Sequence, residues 1–322
     1  MKYRIPSVAS FIITSGLVHT LAYTSNFIAY MVFKRIGKKT IEFKINNYRM
    51  FINLDDPGIS KDLYIFRVRE QQLKYILEKE IKEGDVILDI GANIGYYALM
   101  EKNLVGQQGT VYSLEPSPLN YYLLQKNVRL NKAESVIYPF KLAGGAKASK
   151  EKLYTSEFSN LNTFMPDLYK CGKKSKAITD SYVWVDVVDM TFFLKDKKNI
   201  DLIRMDIEGS EVEVLEGLTS AIKSGIFLGK IVFECHFPKY DDERHSMRKQ
   251  LTMLFQNGYY AKIMTSNDEK KTHFHKRNYK PDQIVPTGID RCQGIYYGIS
   301  NDDAEYFICD VGGVRDVLFE KR

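Results

Sequence analysis

From about residue 69 onward, short apolar runs alternate with segments whose apolar residues recur every three to four positions. Runs of the first kind are typical of buried strands, and segments of the second kind are typical of helices. The pattern predicts strands at 86–90, 110–116, 135–143, 182–188, 200–209, 229–238, 259–265, 294–300 and 304–310. It predicts helices at 69–84, 96–104, 117–131, 210–225 and 241–257. Such alternation predicts an α/β fold in which helices cover both faces of a mostly parallel sheet.

The first 68 residues have a different pattern. Residues 5–33 contain no Asp, Glu, Lys or Arg, and residues 40–54 alternate apolar and polar positions around Asn46 and Asn47, which predicts a β-hairpin. We therefore expect an N-terminal helix and hairpin extension at 1–68 and a main domain at 69–322. Within that domain, residues 144–182 are mostly polar and poorly periodic, which indicates an insertion.

The uncharged segment 5–33 allows three interpretations: a helix packed on the protein or in a homodimer, a helix on a membrane surface, or a membrane span. Its length is sufficient for a span, and basic residues flank it. His19 and Asn26 in its interior argue against a span. We expect either peripheral membrane contact or a homodimer through residues 5–33.

Charge and cysteine content narrow the class of protein only slightly. The net charge of +6 is spread along the chain, which is a weak signal for nucleic acid, so we expect no nucleic-acid partner. The four cysteines are far apart and form no C-x-x-C pair, so a zinc ribbon is disfavoured. Reduced thiols and a cytoplasmic location are expected.

The candidate chemistry lies where the predicted strands end, because ligands of such sheets bind beyond the carboxyl ends of the strands. In "VILDIGANIGYYAL", Gly91 and Gly95 flank Asn93 between a strand and a helix, after the acidic Asp89. This spacing differs from the G-x-G-x-x-G of dinucleotide sites. It better suits a ligand that carries a carboxylate, an ammonium and a sulphonium. Glu115 ends the next strand, where an acid can accept both hydroxyls of a ribose; the alternative is a glycine turn with an ordinary strand-end acid.

The runs "VILDIGANIGYYAL", "VYSLEPSP" and "IDLIRMDIEGSEVEVLEGL" resemble the FkbM-type S-adenosyl-L-methionine-dependent methyltransferases. The resemblance covers about residues 70–258. It implies a Rossmann-like class I methyltransferase sheet, mostly parallel, with seven strands of which the last is antiparallel. It also implies methyl transfer, usually to a hydroxyl of a sugar or natural product.

The resemblance assigns candidate residues to the cofactor by their position in these motifs. Residues of the glycine loop would line the amino-acid part of the cofactor, Glu115 would hold its ribose, and the remaining residues would lie near its adenine. The cofactor candidates are Asp89, Gly91, Ala92, Asn93, Gly95, Glu115, Pro116, Ser117, Leu142 and Ala143.

Methyl transfer to a hydroxyl also needs a base, and two predicted strands have candidates at their carboxyl ends, namely His236, Asp206 and Glu208. His236 titrates near neutrality, and Glu234 and Glu211 are expected nearby. The alternatives are helix capping by Asp206 and Glu208 and a structural role for His236. We assign no metal ligands, although such a cluster leaves a divalent cation open.

The sequence favours an O-methyltransferase that acts on a sugar, a glycan or another small molecule. One alternative is methylation of a protein or RNA nitrogen. Against it, no Asn-Pro-Pro-Tyr-type or Asp-Pro-Pro-Tyr-type run follows the fourth strand. The second alternative is a catalytically silent, methyltransferase-like binding module.

Overall fold

The computed structural model describes residues 8–169, 178–197, 199–288 and 291–322. The α-helices are α1 (Val8–Arg35), α2 (Ile59–Phe66), α3 (Gln71–Glu80), α4 (Tyr96–Val105), α5 (Pro118–Leu130), α6 (Met190–Lys195), α7 (Glu211–Lys223), α8 (Met247–Gln256) and α9 (Asn301–Glu305). The strands are β1 (Thr40–Ile45), β2 (Tyr48–Asn53), β3 (Val86–Ile90), β4 (Thr110–Leu114), β5 (Ile137–Phe140), β6 (Ala143–Gly145), β7 (Ser149–Ser156), β8 (Ile178–Asp189), β9 (Leu202–Met205), β10 (Lys230–Glu234), β11 (Tyr259–Ser266), β12 (Gln283–Gly288), β13 (Arg291–Tyr297) and β14 (Val314–Lys321).

Nine strands form the main sheet, in the order β12-β13-β11-β14-β10-β9-β3-β4-β5. The five strands from β10 to β5 run parallel, and β14, the last strand of the chain, inserts antiparallel between β10 and β11. The predicted Rossmann-like sheet with an antiparallel last strand is therefore confirmed. Beyond the seven expected strands, β13 and β12 extend the sheet at one edge with antiparallel pairing.

Strand β3 shows why the sequence of a central strand is a nearly continuous apolar run. All five of its side chains are buried, because helices cover both faces of a parallel sheet. Val86, Leu88 and Ile90 belong to one hydrophobic core, whereas Ile87 belongs to the core on the opposite face. The strand ends at Gly91, at the edge where its parallel neighbours also end.

The N-terminal extension packs against the main sheet's helices. Tyr30 of α1 is buried and its hydroxyl donates to the Leu54 carbonyl at 2.8 Å, while the Asn26 amide donates to the Ile65 carbonyl. The hairpin residues share a hydrophobic core with α3, α4 and α5. The division of the chain at residue 68 stays a prediction. Among the described residues, no helix combines the length and the hydropathy that a membrane span requires.

The insertion forms a small sheet of its own. Strand β8 pairs antiparallel with β7 and parallel with β6. Residues 170–177 of the insertion, and with them Cys171, lie outside the described residues. The other three cysteines, Cys235, Cys292 and Cys309, are free thiols.

One predicted strand was wrong, and the structure contains two elements that the pattern did not predict. The strand expected at 304–310 is helical, because Ser300 caps α9 and the helix continues as a π-helix over Tyr306–Val311. The last strand, β14, follows it after Gly312 and Gly313 and was missed. The pattern also did not predict α2, whose buried face packs under α1.

Candidate active site

The glycine loop after β3 folds as it does because its backbone must pass close to the loop after β9. Gly91 has φ +84°, and a Cβ there would lie 2.4 Å from the carbonyl oxygen of Asp206. Gly95 has φ +90°, and a Cβ there would meet the Leu124 side chain. Asn93 also has a positive φ of +50°. The backbone freedom of this loop therefore brings the ends of β3 and β9 together.

Glu115 follows β4 and is tied to the glycine loop. Its Oε2 accepts the backbone N–H of Asn93 at 2.8 Å, and its Oε1 accepts that of Ser117 at 2.9 Å. Burial raises the pKa of this carboxyl to about 7, although the two N–H groups oppose the shift. Each oxygen keeps a second lone pair, so a ligand hydroxyl can still donate to it.

A narrow cleft of about 60 Å³ lies between these two loops and the loop after β9. Six predicted site residues line it: Gly91, Asn93, Glu115, Pro116, Asp206 and Glu208. Of the other predicted residues, Ala92, Ser117 and Ala143 are buried, and neither they nor Gly95 and Leu142 belong to the lining. The cleft thus brings together four of the predicted donor residues and two of the predicted catalytic residues, while Asp89 and His236 do not line it.

The cleft has walls that the sequence did not indicate. Asn120 of α5 and residues of the insertion, namely Leu153, Ser159, Asn160, Asn162 and Phe164, also line it. Asp56 of the N-terminal extension holds this segment, because its buried carboxylate accepts both the N–H and the hydroxyl of Ser159. The same carboxylate accepts the N–H groups of Gly58 and Ser60. The extension therefore positions one wall of the cleft.

Asp89 does not face this cleft. It is fully buried, and its Oδ1 accepts a hydrogen bond from the Arg204 guanidinium at 3.0 Å. Arg204 also donates to Asp206 and stacks on the Tyr97 ring. Burial raises the pKa of Asp89 in spite of this arginine. The ion pair between Asp89 and Arg204 thus joins the ends of β3 and β9.

The loop after β9 carries a cluster of carboxylates around His236. The Nδ1 of His236 donates to Glu211 Oε1 at 3.1 Å. Its Nε2 lies 3.6 Å from Glu208 Oε2 and 3.5 Å from Glu234 Oε1, without a hydrogen-bond partner in the described part of the chain. Burial lowers the pKa of His236, but the charge and hydrogen bond of Glu211 outweigh it and raise the pKa to about 9.

Glu211 is the first residue of α7, and its side chain holds the loop that precedes the helix. Its Oε1 accepts the N–H groups of Ile207 and Gly209. The Glu208 carboxylate instead accepts from Lys239 Nζ at 2.6 Å, and Glu208 has a left-handed φ of +54°. A non-glycine residue in that conformation is strained, and such strain often occurs at functional sites. The N-cap residue of α7 is Ser210, so the alternative that Asp206 and Glu208 cap a helix stays a prediction.

Asp206, Glu234 and His236 could together hold a divalent cation, since their ligand atoms lie within 4.8 Å of one another. Two of the carboxylates already have cationic partners. Arg204 donates to Asp206 at 3.1 Å, and Arg315 lies 2.5 Å from Glu234. These arginines supply much of the neutralisation that a metal would provide.

Other residues around the cluster were missed by the sequence reasoning. Arg204 carried a usable signal, because a charged residue inside an apolar strand needs a buried partner. His245 was not predicted, although it is buried and its Nε2 contacts the Gly209 carbonyl at 2.7 Å. Lys239 lies far from Glu208 in sequence and carried no signal.

The arrangement defines a class: a Rossmann-like α/β protein with a small-molecule cleft at the carboxyl ends of its central strands. The methyltransferase FkbM domain matches residues 89–261, more than half of the chain. The chain therefore belongs to the FkbM methyltransferase domain family, which confirms the resemblance seen in the sequence.

Curated relatives cover part of the chain. The hexuronic acid methyltransferase AglP of Haloferax volcanii is 26% identical over 180 residues, which are 53% of this chain and 66% of that protein. The methyltransferase sdnD of Sordaria araneosa is 32% identical over 157 residues, 41% of this chain and 60% of that protein. The chain thus spans 59% to 66% of the lengths of the curated relatives it matches.

Solved structures resemble the fold at low identity. The methyltransferase FkbM from Methylobacillus flagellatus KT has a TM-score of 0.37 and 15% identity, over 84% of this chain and 59% of that one. TYW2 of M. jannaschii, in complex with AdoMet, has a TM-score of 0.39 and 14% identity, over 88% of each chain.

Proposed function

We propose that this protein transfers a methyl group from S-adenosyl-L-methionine to a hydroxyl of a sugar, a glycan or another small molecule. One observation carries the proposal: two sets of residues with complementary chemistry share one cleft. Gly91, Asn93 and Glu115 form its first side, and Asp206 and Glu208 form its second, with His236 directly behind Glu208. Membership of the methyltransferase family supports the reaction type.

The first side of the cleft fits the methyl donor. Glu115 can accept from ribose hydroxyls, Pro116 and Asn120 would face the adenine, and Gly91 and Asn93 line the part that would receive the amino-acid portion. When bound, S-adenosyl-L-methionine supplies a methyl group on a sulphonium that needs no further activation. We propose that Asp89 acts indirectly, by fixing the loop through Arg204.

The second side fits a hydroxyl acceptor. As the hydroxyl oxygen bonds to the methyl carbon, Nε2 of His236 takes the hydroxyl proton, and the products are a methyl ether and S-adenosylhomocysteine. Glu211 holds the imidazole from Nδ1, so Nε2 is directed at the gap beside Glu208 and Glu234. With a pKa of about 9 the imidazole is mostly protonated at neutral pH. A sulphonium nearby would lower that pKa, because like charges repel.

The acceptor class has support from one relative. AglP is named for a hexuronic acid, which is a sugar, although the identity is only 26%. The competing hypotheses are methylation of a protein or RNA nitrogen and a silent binding module. We propose that no nucleic acid is the acceptor, and that the protein acts in the cytoplasm, where S-adenosyl-L-methionine is made.

We further propose that α1 contacts an anionic membrane surface. Leu21, Ile28 and Val32 lie on one side of α1 and are 61%, 57% and 51% exposed. The nearby hydroxyls of Thr24 and Ser25 donate to helix carbonyls, so they leave this face apolar. Basic residues follow at the helix end, namely Lys34, Arg35, Lys38 and Lys39. An apolar face beside cations is typical of peripheral helices.

A methyl-transfer assay tests the base. Wild-type protein, His236→Ala and the exposed-loop control His275→Ala are incubated with methyl-labelled donor and a panel of sugars. His236→Ala should lower turnover by about 10²–10⁴-fold, with donor affinity nearly unchanged. If His236→Ala keeps full turnover, the histidine is structural. A chelator then separates the carboxylates alone from a bound metal.

A further inference from the structure

A second pocket opens at the same edge of the sheet, next to the catalytic cluster. It has a volume of about 320 Å³ and lies between the start of α3, the start of β14 and the adjoining ends of β12 and β13. Its size is in the range of small-molecule sites. The residues that line it are Val68, Arg69, Glu70, Gln71, Gln72, Asn267, Thr287, Arg291, Gln293 and Arg315.

Arg315 links this pocket to the reacting groups. Its Nη1 lies 2.5 Å from Glu234 Oε1, and that oxygen lies 3.5 Å from His236 Nε2. A molecule seated against Arg315 is therefore two contacts from the proposed base. The donor cleft borders the same cluster, since Glu208 and Asp206 line it.

The lining is basic. It includes three arginines and one glutamate, Glu70, which already pairs with Arg69 and Arg315. Arg291 is exposed, and no carboxylate of a described residue pairs with it. A guanidinium binds carboxylates and phosphates through parallel hydrogen bonds. This wall of the pocket therefore suits an anionic group.

The lining is also rich in amides with unused hydrogen-bonding capacity. The side-chain oxygens of Gln72 and Gln293 and the Nε of Arg69 are buried without a partner among the described residues. Gln72 is 1% exposed and Gln293 is 7% exposed. Buried polar atoms are normally paired, so these atoms point to a ligand that brings both donors and acceptors. Neighbouring hydroxyls of a sugar do so.

We propose that this pocket binds the methyl acceptor and that the acceptor is an anionic sugar, one that carries a carboxylate or a phosphate. This inference rests on the proposed methyl transfer. The anionic group lies against Arg291 and Arg69, and the sugar hydroxyls meet Gln72 and Gln293. The hydroxyl to be methylated points past Arg315 towards His236.

Binding without turnover tests the inference. The full chain is saturated with S-adenosylhomocysteine, and three probes are titrated by saturation-transfer NMR: methyl glucuronoside, glucose 6-phosphate and neutral methyl glucoside. At least one acidic probe should bind about tenfold or more tightly than the neutral one. The acidic probe that binds more tightly shows whether the pocket prefers a carboxylate or a phosphate.

Arg291→Gln should remove this preference and leave S-adenosylhomocysteine affinity unchanged, whereas the exposed control Arg244→Gln should behave like wild type. If S-adenosylhomocysteine still binds, then equal affinity for all three probes, or no binding of any probe, would overturn the inference. An unchanged acidic preference in Arg291→Gln would overturn it as well. Failure of the cofactor itself to bind would instead overturn the proposed function.

Discussion

The charge of Glu115 should control donor affinity. Burial raises its pKa from 4.5 to about 7. This is a penalty on the ionised form of about 3 kcal/mol. Ribose hydroxyls donate hydrogen bonds, and only the ionised carboxylate offers a free acceptor on each oxygen while it also holds Asn93 and Ser117. We therefore expect the donor to select ionised Glu115.

The size of the effect follows from the pKa. Roughly one-tenth of the protein is ionised at Glu115 at about pH 6 and roughly nine-tenths at about pH 8, so the donor Kd should be about tenfold higher at the lower pH. Stability changes in the opposite direction. Because the folded pKa is raised, the contribution of Glu115 to stability is present below about pH 4.5 and is lost as the pH rises through about 7.

Isothermal titration calorimetry with S-adenosyl-L-methionine at both pH values measures this effect. Glu115→Gln cannot ionise, and its NH₂ group must face a backbone N–H, so its affinity should fall by about two orders of magnitude and no longer depend on pH. The exposed Glu134→Gln is the control. Wild-type affinity that agrees within about threefold at the two pH values would refute the reasoning. So would wild-type affinity in Glu115→Gln.

Three further predictions concern the base, the cleft wall and α1. Glu211→Gln should lower the pKa of His236 from about 9 towards its usual value, so the rising limb of kcat against pH should move to lower pH; an unmoved limb would separate His236 from the chemistry. Asp56→Asn should lower the free energy of unfolding by about 2–4 kcal/mol and also weaken donor binding, because its carboxylate holds Ser159. The control Glu80→Gln, which loses ion pairs to Lys230 and Lys262 at the other end of the sheet, should lose stability alone; equal donor affinity in Asp56→Asn and wild type would contradict this account. In a vesicle flotation assay, the protein should float with anionic vesicles but not with neutral ones, and the variant Leu21→Ser/Ile28→Ser/Val32→Ser should not float with either. If the protein has twice the monomer mass in the absence of lipid, and the triple variant has the monomer mass, α1 forms a homodimer instead.

The sequence predicted the central sheet because each inner strand carries its own signal. Strand β3 reads as a buried run that ends in glycine, and Glu115 follows β4 at the expected place. These features depend on neighbours in sequence. The edge of the sheet was harder, since "AEYFICD" has the composition of a strand but is held helical by the cap at Ser300.

The sequence predicted the residues of the donor cleft that follow the strands, but not the wall that the insertion supplies. Gly91, Asn93 and Glu115 lie in a local motif, whereas Ser159 reaches the cleft through contacts with Asp56 and Asn120 that span long stretches of chain. Asp89 illustrates the opposite case. Its motif position predicts a ligand contact, whereas in the structure its Oδ1 accepts from a buried arginine on the neighbouring strand. An ion pair between two strands cannot be predicted from the spacing of residues along the chain.

The central claim is that this chain methylates a hydroxyl oxygen, and product analysis tests it most directly. Full-length protein is incubated with S-adenosyl-L-methionine and a hydroxyl-rich acidic sugar, and S-adenosylhomocysteine and the sugar product are measured together by mass spectrometry. The account predicts equal amounts of S-adenosylhomocysteine and of a sugar methyl ether, both lost in Glu115→Gln. Donor binding without any S-adenosylhomocysteine would contradict it and indicate a silent binding module. Methyl groups found on nitrogen instead of oxygen would contradict it as well.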